Sequence, residues 1–534
     1  MLGVEEIVLD IAASWIRMLL ALGLSIVFAL AIGIAAARNR RAEGVIIPLL
    51  DVFQSIPILG FFPLIIFGVY DLIPNTVGAS LAIIILIFTS MSWNIAFGVY
   101  EAVKAIPQDY ADLLDVSRAS TWQRIRTLYI PASLSRIAYN TQISWAVGLF
   151  YLVSSEIISQ GTTVSQGSTT VPVAYGIGIG AMKFAAQGDY VDYALSIVGL
   201  IIAVVVWRFV FLREFALWSE RYKMMEEPRE VHRDPVMRFY SWVNHRSISK
   251  LFLLAHDRGV NKFTSTLYKF RRGIKYAVLI AIAFFLLLEI AAMGRGGINL
   301  ALPSGAQLVS TELYVLVGLA ASFVRVWYVY AICVAIGLPM GIVVSLNFKL
   351  YDTVSPILEV VSSIPAPILL PAMIFIPFIG HSGEAIAAIV IILGIFWYIV
   401  FNVMAGVRTL PEDLKSLPKT FHVSRWSAWK NVYIPGAMTA LVTGSITAVG
   451  GAWNTLIVAE YFTQTDAKGN TTLLTQVGTG IGKIITQATN AGYAKEGLTI
   501  TLAVVSMTAL IVAFNLTVWR RVYHHVTKRY AYNR

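Results

Sequence analysis

Long apolar runs alternate with short polar segments along the chain. Five runs, at about 14–37, 45–69, 78–100, 133–158 and 190–212, are each near the length of about 20 residues that a helix needs to cross a hydrocarbon core. A sixth lies near 276–293, and five more near 312–346, 352–378, 384–406, 437–462 and 497–519. The runs are continuous rather than alternating, which excludes a membrane β-barrel. The pattern predicts an all-α polytopic membrane protein with about 11 transmembrane helices. The first run, Ser14–Ala37, is too long and follows too acidic a tail for a cleaved signal peptide, and reads as a span.

Charge orients these spans. The tail before the first run carries Glu5, Glu6 and Asp10 and no Lys or Arg, whereas the next polar stretch is Arg38-Asn39-Arg40-Arg41. Between Arg213 and Lys275 there are fourteen Lys or Arg against seven Asp or Glu, a net of +7 in a chain of formal charge +11. The end, with Arg520, Arg521, Lys528, Arg529 and Arg534, is basic too. Basic segments stay inside, which predicts an N-terminus outside and a C-terminus inside. The flanking spans make this a simpler account of the basic block than nucleic-acid binding, so no nucleic-acid partner is expected. Composition agrees: 57% of residues are hydrophobic and 13% charged, with mean hydropathy +0.71. The single cysteine, Cys333, excludes an internal disulfide and reads as a small buried hydrophobe.

One polar segment occurs twice. Pro107, Asp109, Ser120, Trp122, Tyr129, Ile130 and Pro131 recur 304 positions later as Pro411, Asp413, Ser424, Trp426, Tyr433, Ile434 and Pro435. With an offset of 308, Ser14, Arg17, Gly33, Asn39, Pro48, Ser55, Ile56, Pro57 and Pro63 match Ser322, Arg325, Gly341, Asn347, Pro356, Ser363, Ile364, Pro365 and Pro371. Asp51 falls on Glu359, Trp93 on Trp397 and Glu156 on Glu460, and a glycine ladder, Gly176, Gly178 and Gly180, recurs as Gly478, Gly480 and Gly482. The chain therefore divides into a first repeat (1–212), a basic linker (213–275), a linking helix (276–293) and a second repeat (294–534). Five spans per repeat would invert the second copy, and the linking helix restores it, so the repeats are expected to be parallel about an axis along the membrane normal. Both polar handles then lie on the cytoplasmic side, suited to a two-fold symmetric aqueous partner.

Ionisable residues inside spans are candidates for function because charge in hydrocarbon is costly. Arg17, Arg325, Glu156 and Glu460 share a depth near the outer ends of their spans, whereas Asp51 and Glu359 lie early in spans that start at the cytoplasm. Depth thus pairs Arg17 with Glu156 and Arg325 with Glu460; a brace or gate, an anion site and snorkelling of the arginines all remain open. The glycine ladders, followed by Lys183 and Lys483, fit close helix packing or contact with a delivery protein. Prolines 57, 63, 365, 367 and 371 break helices, as substrate paths, hinges and packing kinks all do. The chain lacks a Walker-type phosphate loop and any metal-ligand spacing among its seven histidines, so no metal, cofactor or catalytic role is expected.

The two handles resemble the cytoplasmic "EAA" loops of ABC importer permeases of the type I fold, whose pattern is E-A-A-x-x-x-G, nine residues, then I-x-L-P. Motif starts fall at Asp112 and Ser416, and the terminal hydrophobic-x-hydrophobic-Pro is intact in Leu128–Pro131 and Val432–Pro435. Arg118 and His422 occupy the Gly position, where Gly is usual if φ is positive and Arg or His tolerates it less well. Ser55-Ile56-Pro57, Ser363-Ile364-Pro365 and Ala459-Glu460 look most like permeases for nitrate, sulfonate, taurine and bicarbonate. The resemblance implies a fused permease forming the translocation pathway, in the cell membrane of a bacterium or archaeon. It implies a cytoplasmic ATPase dimer, holding ATP and Mg, docked on both handles, and an extracellular substrate-binding protein. Pro107 and Pro411 would start each docking helix, Pro131 and Pro435 would restart the chain into the next span, and Trp122 and Trp426 would anchor the contact. The alternative is a carrier driven by an ion gradient.

Overall fold

Each apolar run among the described residues becomes helix, though not always one helix. The computed structural model describes residues 2–222 and 305–530, apart from 56, 74–75, 162, 165–168, 171–174, 378, 466–470 and 492. The linking helix expected at 276–293 and most of the 213–275 linker lie outside the described residues. In the first repeat α1 (Leu2–Arg38) is followed by α2 (Arg40–Ser55), α3 (Ile58–Leu72) and α4 (Thr76–Lys104). The first handle contributes α5 (Gln108–Val116) and α6 (Thr121–Arg124), and α7 (Ile130–Gly161) follows. Then come α8 (Ile177–Ala186), α9 (Tyr190–Trp207) and α10 (Arg213–Ser219).

The second repeat follows the same plan. It runs α11 (Gly305–Leu346), α12 (Phe348–Ser362), α13 (Leu370–Met373), α14 (Gly383–Arg408), α15 (Glu412–Thr420), α16 (Arg425–Ala428) and α17 (Ile434–Glu460). It closes with α18 (Ile481–Ala491), α19 (Tyr493–Phe514) and α20 (Arg520–Tyr530).

Seven described helices are long and apolar enough to cross a membrane, or up to eight if the bent α12–α13 pair counts as one span. The expected runs at 45–69 and 352–378 are not straight spans. The first breaks between α2 and α3 at Pro57, and the second turns by 76° around Pro365. Proline removes a backbone donor and disfavours helix at the preceding residue, so a break is placed there twice. Run 133–158 is helical within α7, but Asn140, Thr141, Gln142 and Ser144 make it more polar than its neighbours.

The all-α expectation needs one correction. Between α7 and α8, strand β1 (Thr163–Val164) pairs antiparallel with β2 (Thr169–Thr170). Between α17 and α18, β3 (Tyr461–Thr465) pairs with β4 (Thr471–Gln476). Both stretches are rich in Thr, which suits an extended, half-exposed ribbon.

Within each repeat the fourth helix sits between the first and the seventh: α4 packs on α1 and α7, and α14 on α11 and α17. The broken helices instead reach across to the other repeat. α3 packs on α17, α18 and α19, and the turn Ala366–Leu369 packs on α7 and α8. Asn454 Oδ1 of α17 accepts from the Leu59 N–H at 3.1 Å, supplying a donor at the start of α3 with a partner from the opposite repeat. The Tyr193 hydroxyl donates to the Ile368 carbonyl at 2.7 Å, and Tyr190 meets Phe375 edge-on at 5.0 Å between centroids. One buried cluster, from Ile7 to Trp519, runs through both repeats.

Candidate functional site

The two handles are built alike. α5 ends in a turn where Ala119 donates to the Leu114 carbonyl at 3.0 Å, and α15 ends where Val423 donates to the Pro418 carbonyl at 2.9 Å. That six-residue closure requires a left-handed residue just past the helix. Arg118 and His422 fill it, both at φ 49°, and they are the two non-glycine residues with positive φ among the described residues. The two turns are therefore alike although neither residue is glycine. Ser120 then caps α6, accepting from Gln123 N–H at 3.3 Å, while the Gln123 side chain accepts from Ser120 N–H at 2.7 Å. Ser424 caps α16 by accepting from Ser427 N–H at 3.3 Å.

The prolines that close the handles do not restart the chain, contrary to expectation. Each is preceded by a π turn, Ile125–Tyr129 or Trp429–Tyr433, through which helix continues into α7 or α17. The wider turn accommodates a proline that neither donates nor leaves room for the carbonyl one turn back. Pro107 and Pro411 stand immediately before α5 and α15, and each carbonyl accepts within the first turn, from Tyr110 at 3.2 Å and from Leu414 at 3.0 Å.

Asp109, Asp112, Arg118, Pro411, Asp413 and His422 are exposed, and Pro107, Pro131 and Pro435 half-buried. The two tryptophans are not equivalent. Trp426 is 75% exposed, whereas Trp122 is half-buried and packs on the hydrophobic core. In the second repeat Trp429 takes the place against the core. Beside the first handle, the Lys104 ammonium and the Tyr100 hydroxyl each donate to Glu43 at 2.6 Å and hold its carboxyl below the usual carboxylate range.

At the other end of α7 and α17 lies a second matched pair of sites. Glu156 is fully buried and accepts from Arg17 Nη1 at 2.5 Å, from Ser14 Oγ at 2.7 Å and from Gly178 N–H at 2.9 Å. Ser14 Oγ in turn accepts from Ile177 N–H at 2.9 Å, and Arg17 Nη2 donates to the Tyr175 carbonyl at 2.5 Å. Glu460, also fully buried, accepts from Ser322 Oγ at 2.5 Å, from Arg325 Nη1 and from Gly482 N–H at 2.7 Å. Ile481 N–H donates to Ser322 Oγ at 2.8 Å, and Arg325 Nη2 to the Thr479 carbonyl at 3.1 Å. A buried carboxylate thus tops the N-terminus of α8 and of α18, where free N–H groups and the helix dipole favour negative charge.

This arrangement explains the glycines differently from close helix packing. A Cβ on Gly176 would sit 2.6 Å from the Glu156 carboxyl carbon, and one on Gly480 would strike Glu460. The hydrogen bonds fix the true register: Gly176 and Gly178 correspond to Gly480 and Gly482, one rung away from the sequence match. Lys183 and Lys483 are accordingly not counterparts. Lys183 pairs with Glu6, whereas Lys483 donates to the Val477 and Gly478 carbonyls at 3.0 and 2.9 Å.

The repeats also differ in their second carboxylate. In the first, Asp10 accepts from Gly176 N–H at 2.9 Å, and its other oxygen lies against Gly180. In the second, the Asp10 position is Gly318 and the Gly180 position is Ile484, and a Cβ on Gly318 would collide with Ile484. Large and small have changed places. Glu384 supplies the carboxylate instead, bridging Arg325 Nε and Nη2 at 2.9 and 2.8 Å, where the first repeat has Ser80. Sequence reasoning missed Glu384, although its place early in an apolar run could have marked it.

Of the remaining charges, Glu359 reaches across to Arg208 of the first repeat and accepts from Ser355 Oγ at 3.2 Å. Arg208 was also missed, although it stands as a charge inside the run 190–212. Asp51 lies in α2, and its side chain falls outside what is described. Among the described residues no group of three or more His, Cys, Asp or Glu is placed to hold a metal ion.

The chain matches the family described as binding-protein-dependent transport system inner membrane component twice, over residues 29–217 and 334–531. It is similar to the nitrate import permease protein NrtB of Leptolyngbya laminosa, 26% identical over 239 residues, or 42% of this chain and 80% of that protein. The taurine transport system permease protein TauC of Escherichia coli is 28% identical over 151 residues, 28% of this chain and 54% of that one. The bicarbonate transport system permease protein CmpB of Synechococcus elongatus is 29% identical over 140 residues, 26% of this chain and 49% of that one. The chain thus spans about half the length of the taurine and bicarbonate relatives.

Proposed function

The chain belongs to the family of binding-protein-dependent transport system inner membrane components, carried twice in one polypeptide, and from that premise we propose that it is the whole permease of an ATP-driven importer of a small anion. The observation that carries this is the pair of exposed handles, each bent at the same left-handed turn and each continuous with a long helix. A two-fold ATPase, holding ATP and Mg, docks on both. Its closure pulls on α5–α6 and α15–α16, and the helices they continue into carry that displacement to Glu156 and Glu460. An extracellular substrate-binding protein delivers the anion. Nitrate, bicarbonate and taurine are the candidates that the names of the relatives suggest, and other sulfonates follow from the likeness of taurine to them.

The finer topology belongs to the same proposal. The repeats are parallel, the broken helices count as spans, and a linking helix at 276–293 brings the total to eleven, with the N-terminus outside and the C-terminus inside. The membrane is that of a bacterial or archaeal cell. The decisive experiment is uptake of nitrate, bicarbonate and taurine by proteoliposomes holding this chain, its ATPase and its delivery protein. ATP-dependent uptake supports the proposal. Uptake without any ATPase, driven by a proton or Na⁺ gradient, supports a secondary carrier and sinks it.

A further inference from the structure

We propose that Arg208 is the cation that meets the transported anion between the two repeats, with Glu359 holding its place when the passage is empty. This rests on the reading of the chain as an anion permease. Arg208 is eighteen residues into the helix Tyr190–Ser219, roughly 27 Å along it and four residues before the end of the apolar run 190–212, toward the same cytoplasmic side as Glu359. Its partner Glu359 belongs to the other repeat and sits at the end of α12, one turn before the 76° bend. The Arg208 and Glu359 side chains keep 25% and 35% of their surface. The pair lies between the two repeats beside a broken helix, and broken helices border aqueous spaces.

The other arginines at buried positions are committed elsewhere. Arg17 and Arg325 side chains are 8% and 5% exposed and are held by Glu156 with the Tyr175 carbonyl, and by Glu460, Glu384 and the Thr479 carbonyl. Arg208 is held across the interface by a carboxylate on a separate, bent element, which can move away as the repeats rearrange. A guanidinium presents two parallel N–H groups that match trigonal oxyanions and sulfonates. A competing carboxylate keeps the anion's hold weak enough for it to leave, as conduction requires. The matching position in the second repeat, by register of the π turns Arg208–Leu212 and Asn515–Trp519, is the uncharged Asn515. The passage therefore has this cation on one side.

The test uses the full chain with its ATPase and delivery protein in proteoliposomes, with nitrate, bicarbonate and taurine as probes. Lack of ATP-driven uptake by the unmodified chain would overturn the proposed function and is scored before any variant. Arg208→Gln should lose uptake by about tenfold or more, the equivalent of one charge-assisted bidentate contact. Glu359→Gln should keep transporting, with a lower KM for the anion. The double variant R208Q/E359Q separates the roles: it should remain as poor as R208Q. Recovery to unmodified uptake in the double variant would mean that the pair only braces the repeats, and would overturn the proposal. Arg208→Lys keeps the charge and serves if R208Q does not insert: a raised KM at normal kcat supports the proposal, and an unchanged KM overturns it.

Discussion

Arg118 and His422, 304 positions apart, adopt the same left-handed backbone at φ 49°. A side chain there costs of order 1–3 kcal/mol, part of which glycine returns as unfolded-state entropy. Arg118→Gly and His422→Gly should each raise stability by roughly 0.5–1 kcal/mol, and Val at either position should lower it by more. Thermal unfolding of the purified chain in detergent checks the sign. Destabilisation by glycine would mean that the Arg and His side chains hold the turn themselves.

The two tryptophans should part company. Trp426→Ala should leave the melting temperature unchanged and weaken co-purification with the ATPase, because Trp426 is 75% exposed. Trp122→Ala should also cost stability, about 1–2 kcal/mol for a half-buried aromatic. Equal melting temperatures for the two variants would contradict the packing of Trp122 on the core.

The buried carboxylates differ in what their loss leaves behind. Glu156→Ala strands Arg17 without a carboxylate and should cost about 3–5 kcal/mol. Glu460→Ala leaves Arg325 with Glu384 at 2.8 and 2.9 Å, so the penalty should be smaller. Removing Arg325 together with Glu460 and Glu384 should cost less than removing Arg325 alone. Chemical denaturation of the set distinguishes these cases, and additive losses would reject the pairing.

The exchange of Asp10 and Gly180 for Gly318 and Ile484 makes its own prediction. Gly180→Ile alone should overpack the joint between α1 and α8 and cost about 1–3 kcal/mol. Adding Asp10→Gly should recover part of that loss. A double variant worse than the sum of its parts would mean that the hydrogen bond from Gly176 to Asp10, at 2.9 Å, matters more than the space.

Much of the plan was legible because charge and proline are costly in a membrane. Depth alone paired Arg17 with Glu156 and Arg325 with Glu460, since a buried charge needs its partner at the same level. The repeat was legible because Pro57 and Pro365, or Pro131 and Pro435, impose the same local geometry wherever they stand. Other features need three dimensions. Periodicity does not say that a π turn carries helix through Pro131, so from sequence that proline reads as a restart. Nor does a glycine ladder disclose which rung faces a carboxylate, because residues 176–180 align all three glycines at an offset of 302 and only two at the offset of 304 that the hydrogen bonds set. Glu384 and Arg208 each lack an identical counterpart in the other repeat, and a comparison of repeats is blind to what is not repeated.

That blindness has a converse in the parity of the passage. Two identical subunits related by a two-fold axis must supply every off-axis charge as a pair, so their lining changes by two units at a time. Joining the copies removes that restriction: on the proposal made above, Arg208 with Glu359 lines one side, and Asn515 stands at the place of Arg208 on the other. Odd increments of charge become available to it, and a substitution on one side need not be suited to the other. A transporter built this way can be tuned toward a monovalent solute one residue at a time.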